Sequence, residues 1–183
     1  MIKKLMLLAM AVGLVVFAAP AFASAAPLVT DLEGGTATSV TATQDPEDPV
    51  ITHLLGGLGQ LECSAIDLSI GLESNEEESA MGSGTGTATG CHDGLAPVNI
   101  TEINVSTITL NAGGTGSASF TFKYDVPALG LTNCEFSGTV GLSFVTNSST
   151  ITITEPNALT GSAGCPPAAT ITGSFVLDDA ELM

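Results

Sequence analysis

Apolar and polar residues alternate along much of this chain with a period of two, as in strands with one buried and one wet face. The clearest run spans 118–126: Ala118, Phe120, Phe122, Tyr124 and Val126 form an apolar set, and the residues between them are polar. A second run puts Cys134, Phe136, Val140, Leu142 and Phe144 on one face. Glu135, Ser137, Thr139 and Ser143 lie on the other, and Gly138 marks a bend on the inner side. Ile171, Phe175 and Leu177 alternate likewise with Thr170, Thr172 and Ser174.

Twice the phase slips. Leu61 and Cys63 give way to Ile66, Leu68, Ile70 and Leu72, and Ile103 and Val105 give way to Ile108 and Leu110. Such a slip predicts a β-bulge, or a strand passing from one sheet to another. Turn-forming residues separate the runs at 111–114, 126–130, 147–149 and 155–157. Helical periodicity is scarce beyond the N-terminus, and Thr, Ser, Gly and Val favour strands and turns. The pattern predicts one all-β domain over 50–183, a single antiparallel β-sandwich or barrel of about eight or nine strands. Residues 26–49, with Gly34, Gly35, Pro46 and Pro49, are expected to be loosely attached, although 36–43 has the makings of an edge strand.

The N-terminus reads as a signal peptide over 1–25. Lys3 and Lys4 precede an apolar run from Leu5 to Ala19, Pro20 breaks it, and Ala21 and Ala23 supply the small residues of a cleavage site after Ala23 or Ala25. The run is short of the roughly 20 apolar residues of a membrane span, so the mature chain is expected to be exported and not inserted in a membrane.

Charge narrows the choice of partners. Once 1–25 is removed, Lys123 is the single Lys or Arg, set against 19 Asp and Glu. Binding nucleic acid or anionic lipid needs cations that this chain lacks, so no nucleic-acid partner is expected. The acidity is read as a solubility device.

Four cysteines in an exported chain predict two disulfides, and Cys63, Cys91, Cys134 and Cys165 are so assigned. The runs after Cys63 and after Cys134 each return to a Gly- and Thr-rich stretch ending in Cys91 and Cys165. Folded as hairpins they turn at Glu77 and between Ser149 and Thr150, both polar. This favours Cys63–Cys91 with Cys134–Cys165. Cys91 and Cys134 also centre well, between Ala112 and Gly113, so the nested pairing (63–165 with 91–134) and the crossed one stay open.

Candidate chemistry is thin. Cys91, His92 and Asp93 stand together like nucleophile, base and orienting acid, but neighbours on an extended chain point to opposite faces, and an oxidised Cys91 offers no thiolate. The expectation is a disulfide followed by a polar turn, and nothing places His53 nearby. Two histidines and no Cys-x-x-Cys argue against zinc. The clusters Asp45, Glu47, Asp48 and Glu73, Glu76, Glu77, Glu78 lack the spacing of a calcium hand and read as solvated turns. No Gly-x-Ser-x-Gly occurs. Asp67 and Asp125 fall on polar faces, which does not suit a glycosidase pair. Pairs of Thr at alternate positions, as at 85, 87, 89 and 150, 152, 154, resemble arrays of ice-binding proteins, but their spacing is irregular and Thr is an ordinary residue for a wet strand face. No catalytic residue, metal or cofactor is expected.

The segment 134–144, with 161–166 and 173–175, carries the patterns Cys-x-Phe-x-Gly and Gly-Cys-Pro. It resembles small exported, disulfide-containing β-proteins of actinobacterial type over roughly a quarter of the chain. The resemblance implies a disulfide-bearing β-domain and brings no catalytic residues with it. The expected role is a secreted, non-catalytic binding or structural module outside the cell or at its surface. The alternative is a carrier of an apolar small ligand inside a barrel lined by Phe120, Phe122, Phe136, Phe144 and Phe175. An apolar cavity above roughly 300 Å³ would favour the carrier, and a filled core with a flat Thr face would favour surface binding.

Overall fold

The computed structural model describes residues 26–55, 59–94 and 96–183. The signal-peptide assignment, 1–25, lies outside them. The strands are β1 (Val29–Asp31), β2 (Ser39–Gln44), β3 (Ile51–Leu54), β4 (Gln60–Glu62), β5 (Ala65–Asn75), β6 (Ser79–Thr89), β7 (Asn99–Asn111), β8 (Thr115–Val126), β9 (Leu131–Phe144), β10 (Thr150–Thr154), β11 (Ala158–Gly161), β12 (Ala168–Thr172), β13 (Ser174–Leu177) and β14 (Ala180–Leu182). A 3₁₀ turn, Pro127–Leu129, joins β8 to β9.

The ring β10-β13-β2-β5-β6-β7-β8-β9 closes on itself through β9 and β10 as an 8-strand antiparallel barrel. Below it, β9 pairs instead with β11, which continues through β12 and β3 to β4. The lower ring is completed by a bridge from Glu62 to His92. The topology is therefore an up-and-down meander of long strands, four of which are broken at one level: β2/β3, β4/β5, β10/β11 and β12/β13.

Local sequence accounts for three of these four breaks. Proline has no N–H to give a ladder, and Pro46, Pro49 and Pro156 fall in two of them. Gly173 breaks a third with φ 123°, where a Cβ would lie 2.7 Å from the Val50 Cα. Substitute bonds knit the level together: Asp45 N–H to Ser174 O, Ser174 N–H to Asp48 O, and Ile153 N–H to Gly173 O. Ser174 Oγ donates to Asp48 Oδ2 at 2.6 Å and shares a bond with Thr152 Oγ1 at 2.9 Å.

The structure selects a barrel over a sandwich. The alternation at 118–126 and 134–144 is as expected, with the apolar sets turned inward. The slip at 103–110 is a bulge, seen as register shifts between Val105 and Thr107 and between Gly82 and Gly84. The slip at 61–66 is a strand break between β4 and β5. The run 170–177 is two strands, not one, and Ser174, expected on the wet face, is buried.

The domain boundary needs correction. Residues 26–49 are not loosely attached: Leu28 and Val29 are 1% exposed, and β2 is no edge strand, pairing with β5 on one side and β13 on the other. The strand foreseen within 36–43 is present as β2, but it lies inside the sheet, with Val40 and Ala42 facing the core. β1 and β14 form a separate two-stranded ribbon across one end of the barrel.

Both bridges take the favoured pairing, Cys63–Cys91 and Cys134–Cys165. Ala65 faces Thr89, the register that also brings Cys63 opposite Cys91. Gly161 faces Phe136, slightly out of step with the second bridge, and the turn from Ser162 to Cys165 makes up the difference. Two disulfides fit an oxidising environment. No helix among the described residues is long and apolar enough to cross a membrane. With apolar side chains inside and Thr, Ser and acids outside, the barrel has the reverse polarity of one that faces lipid.

Candidate functional site

A cavity of about 140 Å³ lies among the inward side chains of the barrel. Three neighbouring strands shape it. β5 contributes Ile66, Leu68 and Ile70, and β7 contributes Ile103, Val105 and Ile108. Between them β6 presents only Ala80, Gly82, Gly84, Gly86 and Ala88 on its inner face, while Thr85, Thr87 and Thr89 point outward. This glycine run follows from close approach: a Cβ on Gly84 would overlap the Ser69 carbonyl oxygen and lie 2.9 Å from the Ile70 Cα. With no side chain above a methyl on that strand, the flanking isoleucines and leucines leave space instead of interlocking.

The lower wall is aromatic. Phe122 packs against Tyr124 and Phe136 with ring centroids 5.8 and 5.4 Å away, and Tyr124 stacks on Phe136 at 5.6 Å. Of the five phenylalanines expected to line the interior, Phe120, Phe122 and Phe175 do so; Phe136 and Phe144 are buried but do not reach the cavity. The upper wall includes Val29 of the terminal ribbon.

Polar groups near the cavity are few. Thr52, 5% exposed, is the single hydroxyl in the lining, opposite Leu61 on one neighbour and Ile171 on the other. Gln44 follows Val40 and Ala42 on the inner face of β2. Its Nε2 donates to the Cys63 carbonyl at 2.9 Å, across the break between β4 and β5, and its Oε1 is buried without a donor. Tyr124 is 1% exposed, its hydroxyl has no partner, and burial pushes its pKa up to about 12. Lys123, on the outside, has its pKa raised by a 2.7 Å hydrogen bond to Glu102.

The candidate catalytic groups are not brought together. Cys91 is in its disulfide, His92 is exposed, and Asp93 is buried, its Oδ1 accepting the Ala96 N–H at 2.6 Å. His53 pairs with Gln60 across β3 and β4, its Nδ1 3.0 Å from Gln60 Nε2. Asp67 stands on β5 and Asp125 on β8, with two strands between them. Glu47 N–H caps Asp45 Oδ1, and Ser83 Oγ caps Glu73 Oε1. Among the described residues no three His, Cys, Asp or Glu are grouped to hold a metal ion.

Sequence reasoning missed the aliphatic majority of the lining and Thr52, and it did not place Gln44 inside. The alternation on β2, extended by one step past Ala42, would have put Gln44 inside. Comparison with protein-family models, with curated proteins and with solved structures finds no match to this chain.

Proposed function

We propose that this protein is an exported, non-catalytic binding module that takes up a small apolar molecule inside its barrel. The observation that carries this reading is the cavity of about 140 Å³ among the inward side chains, whose lining is apolar apart from Thr52. A cavity of about 150 Å³ with such a lining stays dry and admits benzene or xenon. The space is well under the roughly 300 Å³ of a typical ligand pocket, so the occupant is a compact ring or short chain, not a lipid. The aromatic side chains occupy the room that a lipid would need. Export is supported by the two disulfides, by the signal-like 1–25 and by the cation-poor surface. The non-catalytic reading rests on the scatter of His53, His92, Asp67 and Asp125 over separate elements.

Calorimetric titration with benzene tests the reading, with Ala88→Leu as control. Ala88 lines the cavity, and the larger side chain fills part of it. Binding to the wild type and its loss in the variant are expected. A wild-type protein that takes up neither benzene nor toluene would overturn the proposal.

A further inference from the structure

The aromatic wall of the cavity ends on a ring that is covered on one side. Tyr124, Phe136 and Phe122 pack together, and Phe120 continues the series, its ring 6.3 Å from Phe122 and within 15° of parallel to it. The first three are buried. Phe120 is only half-buried, although it alternates with Ala118 and Phe122 on the inner face of β8. Its cross-strand neighbours account for this: Val105 on β7, and on β9 Gly138, which has no side chain to lay against the ring. A Cβ at position 138 would crowd the Ala158 carbonyl oxygen at 3.0 Å, so a larger residue there is disfavoured. Among the described residues Phe122 is the single ring in contact with Phe120, and both line the cavity. The series of rings therefore stops at the cavity, on Phe120.

We infer that the ligand is aromatic, a single compact ring that packs on Phe120 and extends the series by one member. This rests on the reading of the cavity as a binding site. It adds the chemical class of the occupant and a specificity-determining residue. An alkane of similar size covers the same apolar surface of Phe120 and gains nothing further. An aromatic ring adds the attraction between the negative face of one ring and the positive edge of the other, worth about two- to tenfold in affinity beyond area burial. Phe175, the third phenylalanine of the lining, stands on β13 between Ile151 and Gln44 and belongs to no such series.

Toluene has a molar volume between those of cyclopentane and cyclohexane, so a preference for it over both alkanes is not a matter of size. Titrations compare the three on the wild type and on Phe120→Leu, which keeps an apolar side chain and loses the ring. Each affinity is referred to the compound's own partition from water into alkane, which removes differences in hydrophobicity. The wild type is expected to favour toluene over both alkanes by about two- to tenfold, and Phe120→Leu to favour it by less than about twofold. A wild type that binds either alkane as well as toluene overturns the inference while the cavity reading stands, and this result needs no variant to fold. A full toluene preference in a folded Phe120→Leu overturns it too, since the ring contact then lies elsewhere. Failure of all three compounds on the wild type removes the cavity reading itself.

Discussion

The barrel is shut at its two ends by different means. At the lower end both disulfides tie the strand ends together, and Tyr124 and Phe136, 1% and 0% exposed, fill the section between them. At the upper end the closure is the ribbon of β1 and β14, made from the first and last described residues. Leu28, Val29 and Leu182 plug the opening, and hydrogen bonds hold the plug. Asn75, the last residue of β5, accepts the Val29 N–H at 2.9 Å and donates to Val29 O at 2.6 Å and Ala37 O at 3.0 Å. Leu28 N–H adds a bond to Glu76 O, and Asn147 N–H one to Leu182 O. One end is covalent and aromatic, and the other rests on one amide side chain and a two-stranded ribbon of three residues a side. A cavity between such ends has a rigid floor and a removable roof, and exchange of an occupant is expected through the roof.

The largest effect should come from cutting the floor. Replacing both Cys134 and Cys165 by Ser frees a loop of 31 residues and is expected to cost about 3.5 kcal/mol on the chain-entropy model, read from urea unfolding midpoints. A loss below about 1 kcal/mol would mean that the aromatic packing alone holds this end. Next comes Tyr124, whose folded pKa of about 12 stands above its ordinary 10.0 because burial disfavours the phenolate. The unfolded chain releases its proton at lower pH than the folded one, so this stability is intact below pH 10 and is lost as pH rises through about 12. The loss is about 2–3 kcal/mol over that window. Tyr124→Phe should flatten this part of the curve, and an unchanged slope would assign it to other groups. The smallest effect belongs to the roof. Asn75→Ala is expected to cost about 1–2 kcal/mol, because it strips partners from Val29 and Ala37. Its distinguishing sign is local: amide exchange at Val29 and Leu182 accelerates while that at Tyr124 and Phe136 stays slow. Equal acceleration at both ends would dissolve the distinction between them.

Much of the floor was legible in the sequence and little of the roof. The alternation through Phe122, Tyr124, Cys134 and Phe136 announces two long paired strands, and the hairpin centres favour the observed bridges while leaving the nested and crossed pairings open. Local periodicity carries that information. Whether the sheet closes does not follow from any local pattern, because closure depends on β2 meeting β13 and β10 meeting β9. β2 was readable as a strand, but the Gly and Pro signals around it pointed to an edge and not to a place between β5 and β13. Leu28 and Val29 are too few to form a periodic run, and Leu182 lies in a strand of three residues. The site divides in the same way. Phe120, Phe122 and Phe175 were readable as inward-facing apolar residues. Thr52 and Gln44 are polar residues at inner positions, and a rule that sends polar side chains outward misplaces both. The glycines of β6 register in the sequence as part of a Gly-Thr run. That their missing side chains make the cavity becomes clear from the neighbours on β5 and β7.

The seam between β2 and β13 bears on how the chain reaches this state. Ala42 is paired with Leu177, near opposite ends of the sequence, whereas β5 to β9 are joined through short successive connections. The contacts of those hairpins are local and form early, but the seam and the roof both wait for residues 174–182. Without those residues the inner face, with its isoleucines and phenylalanines, would belong to an open sheet with two unpaired edges, a surface prone to aggregation. A chain cut short before Gly173 loses the strand that closes the ring, and its cost falls on the yield of folded protein before it falls on any ligand.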